Sequence, residues 1–403
     1  MHLAYCTNVH PAEDLDGIVG QLDTYATAVR RQLDADVLGL GLWLAAPVAA
    51  ELAGDPARRR RLRQALDERG LEVVTLNGFP YQAFHAPVVK YAVYHPDWTS
   101  RARLDYTLDL ARVLVDLLPD TAARGSISTL PLAWRVPWDA GRAATAARHL
   151  DELSRGLAEL ARASGRTVRV GFEPEPGCVV ETTAQAAAAL SGVDTQWLGV
   201  CLDLAHLACA WEEPGAALHR LQAAGLPVVK VQVSAALAVE DPVTAASVLR
   251  GYAEPRFLHQ CRTPGGEGTD DLAEALDRGL PGPWRVHFHV PLHAAPAAPL
   301  ASTVPELRAA LAALSAGPEP ACDHFEVETY TWSVLPERSR PRTPDAVAAG
   351  IAAELAFARA ELAELAGARC ARADHALCQP PCSRPSARSL RSLDSEPAAG
   401  DRA

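Results

Sequence analysis

Three observations predict a (β/α)8 barrel of the TIM type: strand and helix signals alternate almost from end to end, the strands are short and apolar, and ionisable residues gather at the ends of the later ones. Strands are expected at 3–7, 37–44, 71–77, 126–130, 168–173, 198–203, 228–234, 285–290 and 324–329. Between them, stretches of helical period run over 14–33, 46–69, 99–117, 142–164, 183–191, 213–224, 303–315 and 344–366. Such alternation implies parallel strands joined by crossover helices. Gly70 and Gly165 stand where a glycine closes a helix. At 403 residues the chain is long for one barrel, but barrels often run past about 250 residues as single units.

Nine strand candidates are one too many. The irregular stretch is 235–283, with Pro255, Pro264, Gly265 and Gly266. The expectation is one domain over 1–366, with a long insertion after strand seven (235–298) lying over the active face and 285–290 as an extra extended segment within it. The 78–97 loop, carrying Phe79, Tyr81, Phe84, His85 and Tyr94, is a second long mouth loop, and its aromatic density suits a small-molecule lid. Residues 367–403 are Arg, Ser, Pro and Ala without periodicity and are expected to form a disordered tail.

A net charge of −11, from 38 basic against 49 acidic residues, disfavours a nucleic-acid partner, since an acidic surface repels phosphates. No apolar run approaches the roughly 18 residues that cross a bilayer, which argues against direct membrane insertion. The N-terminus reads as a strand and not as a signal peptide. Nine cysteines without framework spacing point to reduced thiols in a cytoplasmic protein.

The later strands put charge where apolar side chains would otherwise pack. Alternate residues of a barrel strand point inward, and those at its C-terminal end reach the mouth. Glu173 ends one strand, Asp203 ends the next, and His206 follows on the opening helical turn. Lys230, Gln232 and Ser234 alternate with three valines, His287 and His289 share a face, and so do Glu326 and Glu328. Five successive segments present such groups at one end. Burying them unpaired would cost several kcal/mol each, unless a cation or a hydrogen-bonded network compensates. Because two strand residues advance about 6.6 Å, Glu326 is expected one layer deeper than Glu328, where it can pair with Lys230.

Seven strings carry a resemblance to a known family: Tyr5-Cys-Thr-Asn-Val-His10, Thr75-Leu-Asn-Gly-Phe-Pro-Tyr81, Ser128-Thr-Leu-Pro-Leu132, Phe172-Glu-Pro-Glu-Pro-Gly177, Cys201-Leu-Asp-Leu-Ala-His206, His287-Phe-His-Val-Pro-Leu-His293 and Glu326-Val-Glu-Thr-Tyr-Thr-Trp332. Together they resemble the EboE metabolite-traffic family of the xylose isomerase-like barrel superfamily, from the N-terminus to about residue 366. The resemblance implies a divalent metal held by Glu173, Asp203, Gln232 and Glu328. It matches a DxxH motif at Asp203 and His206, where the histidine contacts substrate or a second metal. Histidines that trinuclear zinc nucleases of the superfamily carry on strands three and four are unmatched, since Asn77 and Thr129 stand there. His287 and His289 are similar to the ligand pair those nucleases place after strand seven, so a second metal stays open.

Oxygen-rich ligation with one or two histidines suits Mn²⁺, Mg²⁺ or Zn²⁺. The resemblance implies catalytic roles for Glu173 and Glu328 as proton-transfer groups; His206 is expected to orient a hydroxyl, and Lys230 to neutralise developing charge or a substrate carboxylate. Three readings remain open. One is a metal-dependent isomerase or epimerase of a sugar, polyol or sugar phosphate. Another is a dinuclear hydrolase or lyase. The third is a non-catalytic barrel that binds a small-molecule metabolite and hands a precursor to pathway partners at the membrane.

Overall fold

The computed structural model describes residues 1–377, with side chains to 367. Seven short apolar strands come first: β1 (His2–Cys6), β2 (Leu38–Trp43), β3 (Leu71–Asn77), β4 (Gly125–Thr129), β5 (Val168–Phe172), β6 (Leu198–Asp203) and β7 (Val228–Val233). After β7 come β8 (Leu237–Val239), β9 (Cys261–Arg262), β10 (Gly268–Thr269), β11 (Trp284–Val286) and β12 (Ala301–Ser302). The last strand is β13 (His324–Val327). β13 pairs with both β7 and β1, all parallel, and closes the barrel in the order β1-β13-β7-β6-β5-β4-β3-β2. Helices cover the outer face, so the strands are buried on both sides and read as near-continuous apolar runs.

Side-chain caps fix the helix starts. Asp14, Asp55 and Asp139 each accept backbone N–H bonds at a helix N-terminus, and Thr182 with Gln185 forms a capping box. Gly165 closes the long helix Ala140–Ser164 at φ 70. The helical stretch expected over 46–69 is two helices, Ala46–Gly54 and Pro56–Asp67, because Pro56 has no N–H to continue the first and Asp55 caps the second. The extended stretch expected over 285–290 ends at Val286 as a strand. Beyond it the backbone N–H of His287 turns to the Gln260 carbonyl and that of Val290 to Ala235. The final helix runs Pro344–Leu377, so over 367–377 the expected disorder is replaced by helix. Alanine and arginine there favour the helical backbone even without an apolar stripe. The rest of the expected disordered tail, 378–403, lies outside the described residues.

The segment between β7 and the helix Val304–Leu314 builds a small antiparallel sheet of its own, in the order β10-β9-β11-β8-β12, with helices Pro242–Leu249 and Leu272–Arg278. It meets the 78–97 loop: the N–H groups of Val89 and Lys90 both donate to the Arg256 carbonyl, and Lys90 ion-pairs with Asp271. Two long excursions from the same end of the barrel are thereby tied across its mouth.

One glycine inside the barrel has a clear reason. A Cβ at Gly41 on β2 would lie 1.2 Å from Glu326 Oε1, so the absent side chain is what admits that carboxylate to the interior. Its partner is Lys230 Nζ at 2.5 Å, and both side chains are fully buried.

Candidate metal centre

Asp203 ends β6 and caps the short helix Leu204–Cys209. Its Oδ1 accepts from the His206 N–H and from Ser234 Oγ, both at 2.8 Å, which fixes the carboxylate. Its Oδ2 is buried without a hydrogen-bond partner. A register shift between Val200 and Cys201 brings Asp203 level with Gln232 of β7. Gln232 Nε2 donates to Glu328 Oε2 at 3.1 Å, leaving Gln232 Oε1 buried and unpartnered. Glu328 Oε1 accepts from Asn8 at 2.7 Å and from Asn77 at 2.9 Å. Glu173 Oε2 is likewise buried and unpartnered.

The three histidines follow one rule. His206 Nδ1 meets the Pro174 carbonyl at 3.0 Å, and His289 Nδ1 meets the Glu328 carbonyl at 2.7 Å. His287 Nδ1 meets Gln260 Oε1 at 2.7 Å; that amide is oriented because Gln260 Nε2 donates to Tyr94 and to the Pro176 carbonyl. A carbonyl oxygen only accepts, so each Nδ1 carries a proton and each neutral ring turns an Nε2 lone pair inward. His289 Nε2 has no hydrogen-bond partner. His206 and His287 Nε2 face each other at 2.9 Å. Burial, the largest cause, holds all three below the ordinary histidine value, His206 at about 4, so the rings are neutral at pH 7. Two facing lone pairs repel unless a cation lies between them. Imidazoles whose far nitrogens are pinned to carbonyl oxygens are the usual outer-shell arrangement around a metal.

These donors meet the geometric test for a divalent ion. Within each of three groups, Glu173–Asp203–His206, Asp203–His289–Glu328 and His206–His287–His289, one ligand atom per residue lies within 4.8 Å of the others. Donors at about 2.0–2.4 Å from an ion lie no farther apart than this. Every residue expected as a ligand is thus brought to the same end of the barrel. Gln232 reaches the centre through its hydrogen bond to Glu328, and its buried Oε1 has no partner.

The role expected for Lys230 needs correcting. Its ammonium is bound by Glu326 and reaches Ser128 Oγ at 3.2 Å, and it does not line the cavity above the centre. Burial, the largest single influence, would lower its pKa, but Glu326 together with Cys201 and Cys6 more than offsets it and holds the ammonium above the ordinary lysine value. Glu326 sits one layer down because it is two residues before Glu328 on an inward-facing row.

Glu175, Asn8 and Asn77 belong to the site although the sequence reading gave them no role. Glu175 is buried, lines the cavity and accepts from Tyr94 Oη at 2.6 Å. Asn77 ends β3 and Asn8 lies just beyond β1, so the rule that singled out the acidic strand ends would have found both. Glu175 gave a weaker signal, because its Tyr94 and Gln260 partners come from distant loops.

Burial pushes Glu328 and Glu175 up to about 8 and Glu173 well above the carboxylate range, helped by their mutual repulsion and Asp203. Carboxyls raised in the folded state stabilise it fully below about pH 4.5, and the contribution is lost as pH climbs through about 8. Above pH 7 the histidines are neutral folded and unfolded, and the buried cysteines, held up by burial as well, act in the same direction as these carboxyls. The metal-free chain is therefore expected to melt at lower temperature at pH 8.5 than at pH 7. An ion replaces the displaced protons, so the rise in melting temperature on adding Mn²⁺ should grow over the same interval. Differential scanning calorimetry at the two pH values checks this; an equal rise at both contradicts it.

A closed eight-stranded parallel barrel with its buried carboxylates and imidazoles at the C-terminal ends of the strands has the architecture of the (β/α)8 proteins, whose sites lie at that end. The family model described as xylose isomerase-like TIM barrel matches residues 31–311, and the chain belongs to that family. The match leaves β1 and β13 outside, yet both complete the barrel. No match is found among curated proteins. Among solved structures, an L-ribulose 3-epimerase is similar at 13% identity with a TM-score of 0.51, over 95% of this chain and 100% of that one. A xylose isomerase-like TIM barrel protein from Mycobacterium smegmatis, in complex with magnesium, is similar at 15% identity and TM-score 0.51, over 90% and 97%. At such identities these likenesses speak for the fold.

Proposed function

We propose that the chain is a metal-dependent isomerase or epimerase of a sugar, polyol or sugar phosphate, with Glu173, Asp203, Gln232 and Glu328 around one ion. The observation that carries this is the set of buried, unpartnered donor atoms Glu173 Oε2, Asp203 Oδ2, Gln232 Oε1 and His289 Nε2 at one end of the barrel. A bound Mn²⁺, Mg²⁺ or Zn²⁺ would polarise a substrate carbonyl and hold the neighbouring hydroxyl. Isomerisation then needs one group to take the proton beside the carbonyl and one to return it. Glu173, buried and with Oε2 free of hydrogen bonds, takes the proton. Glu328, held by Asn8, Asn77 and Gln232, is the better-fixed partner for its return. His206, with Nδ1 pinned to Pro174, orients a hydroxyl through Nε2.

The likeness of the seven strings to the EboE family supports a place in metabolite processing and trafficking, with pathway partners at the membrane. No helix of the described residues is long and apolar enough to cross a membrane. Among the residues whose side chains are described, six cysteines are free and buried, which supports a cytoplasmic location. A second reading has its own observation: the 2.9 Å approach of His206 and His287 Nε2 favours a second ion and, with it, hydrolysis or elimination. That reading requires two ions about 3.5–4 Å apart.

The test is proton exchange. The Mn²⁺-loaded chain is incubated in D₂O with ketoses, ketose phosphates and hydroxymethyl ketones bearing an apolar group, and deuterium beside the carbonyl is followed by NMR. Exchange is expected, with a loss of roughly 10²–10⁴-fold in Glu173→Gln. Absence of exchange across the panel would overturn the catalytic reading in favour of a barrel that only binds its metabolite.

A further inference from the structure

The cavity above the metal centre changes character with height. Its floor is Asn8, Asn77 and the carboxylates and imidazoles already described. Higher up, its wall is Phe79, Phe84, Val93, Phe257, Leu258 and the ring of Tyr330. Three of these rings come from different excursions: Phe84 from the loop after β3, Phe257 from the segment after β7, and Tyr330 from just beyond β13. They form one cluster, with centroids 5.1 Å apart for Phe84–Phe257, 4.9 Å for Phe257–Tyr330 and 5.7 Å for Phe84–Tyr330. Tyr330 reaches down to the floor, 4.8 Å from the His289 ring.

Three polar side-chain groups line this upper part, and two are already engaged. The Lys90 ammonium is paired with Asp271. The Tyr94 hydroxyl donates to Glu175 and accepts from Gln260. Among the described residues this leaves the Tyr330 hydroxyl and the N–H groups of Lys90 not used by Asp271 to serve the far end of a substrate. A free pentose or hexose carries hydroxyls along its whole length, and each one stripped of water without a partner costs about tenfold in affinity. A phosphate needs free cationic partners, and no arginine lines this cavity among the described residues.

We propose that the substrate is amphipathic: an α-hydroxycarbonyl end held at the floor, and an apolar group of about the size of one ring held against Phe84, Phe257 and Tyr330. This deepens the isomerase reading and rests on it for the hydroxycarbonyl end. Apolar walls with a few fixed polar groups at one end are how small-molecule pockets divide affinity from orientation.

Calorimetric titration of the full Mn²⁺-loaded chain tests it with four probes: dihydroxyacetone, D-fructose, D-fructose 6-phosphate and a phenethyl-substituted hydroxymethyl ketone. The phenethyl ketone is expected to bind at least about tenfold more tightly than each of the others, from the ring it buries. Phe257→Ser should erase most of that advantage and leave dihydroxyacetone unchanged. Equal or tighter binding of D-fructose or its phosphate, or no binding of the phenethyl ketone, overturns the proposal, and the unaltered chain alone decides this. Repeating the series after chelation separates the two readings. If stripping the metal changes no affinity but the phenethyl preference persists, the metal-bound hydroxycarbonyl is wrong and the apolar subsite stands.

Discussion

Glu326→Gln is expected to cost the barrel about 3–5 kcal/mol, the usual penalty for leaving one member of a buried ion pair alone. Lys230 and Glu326 are both fully buried and 2.5 Å apart. Without the carboxylate, the ammonium keeps Ser128 Oγ at 3.2 Å, the Leu76 carbonyl at 3.5 Å and the new amide oxygen as acceptors. None of them carries charge, so the buried ammonium is left without a counter-ion. Replacing both members with apolar residues, Lys230→Met with Glu326→Leu, should recover most of the loss, because the desolvation penalty disappears with the charges. Chemical denaturation of the metal-free variants gives the comparison. A loss below about 1 kcal/mol in the single variant would mean that water already reaches the pair.

Two residues along the same strand end, the same substitution should act in the opposite way. Glu328→Gln removes one of several carboxylates crowded against Glu173, Glu175 and Asp203, so the metal-free fold is expected to be no less stable, and slightly more so above pH 7. The hydrogen bonds survive: the new carbonyl oxygen accepts from Asn8 and Asn77 as Oε1 does now. Gln232 can rotate its amide to present Oε1 to the new NH₂. Metal affinity should nevertheless fall by at least about 100-fold, since even outer-shell substitutions cost about 10–100-fold. Competition with a metal-sensitive fluorescent chelator measures it.

Much of this was legible in the sequence because barrel strands obey simple rules. Apolar runs buried on both faces mark β5, β6 and β7, and a carboxylate that ends such a run has only the mouth to point into. The Glu326–Lys230 pairing followed from spacing, since a residue two positions deeper than a mouth residue must find its partner inside the barrel. What escaped is what no periodicity encodes. The sheet of β8 to β12 is made of strands two or three residues long, which leave no alternation to count. The helix Leu204–Cys209 is too short to show a 3.6-residue stripe. Gln260 acquires its part only because the segment after β7 lies over the mouth and puts its amide between Tyr94 and His287. Asn8 and Asn77 were visible as residues, yet their work as donors to Glu328 depends on two strands lying on the far side of the barrel seam.

Side-by-side metal titration of the unaltered chain, Glu328→Gln and Glu326→Gln by isothermal calorimetry tests the central claim most directly. If the ion sits among Glu173, Asp203, Gln232 and Glu328, the unaltered chain and the folded fraction of Glu326→Gln should take up Mn²⁺ with similar affinity. Glu328→Gln, though fully folded, should have lost most of its affinity. Equal retention of metal by Glu328→Gln and the unaltered chain would contradict the account.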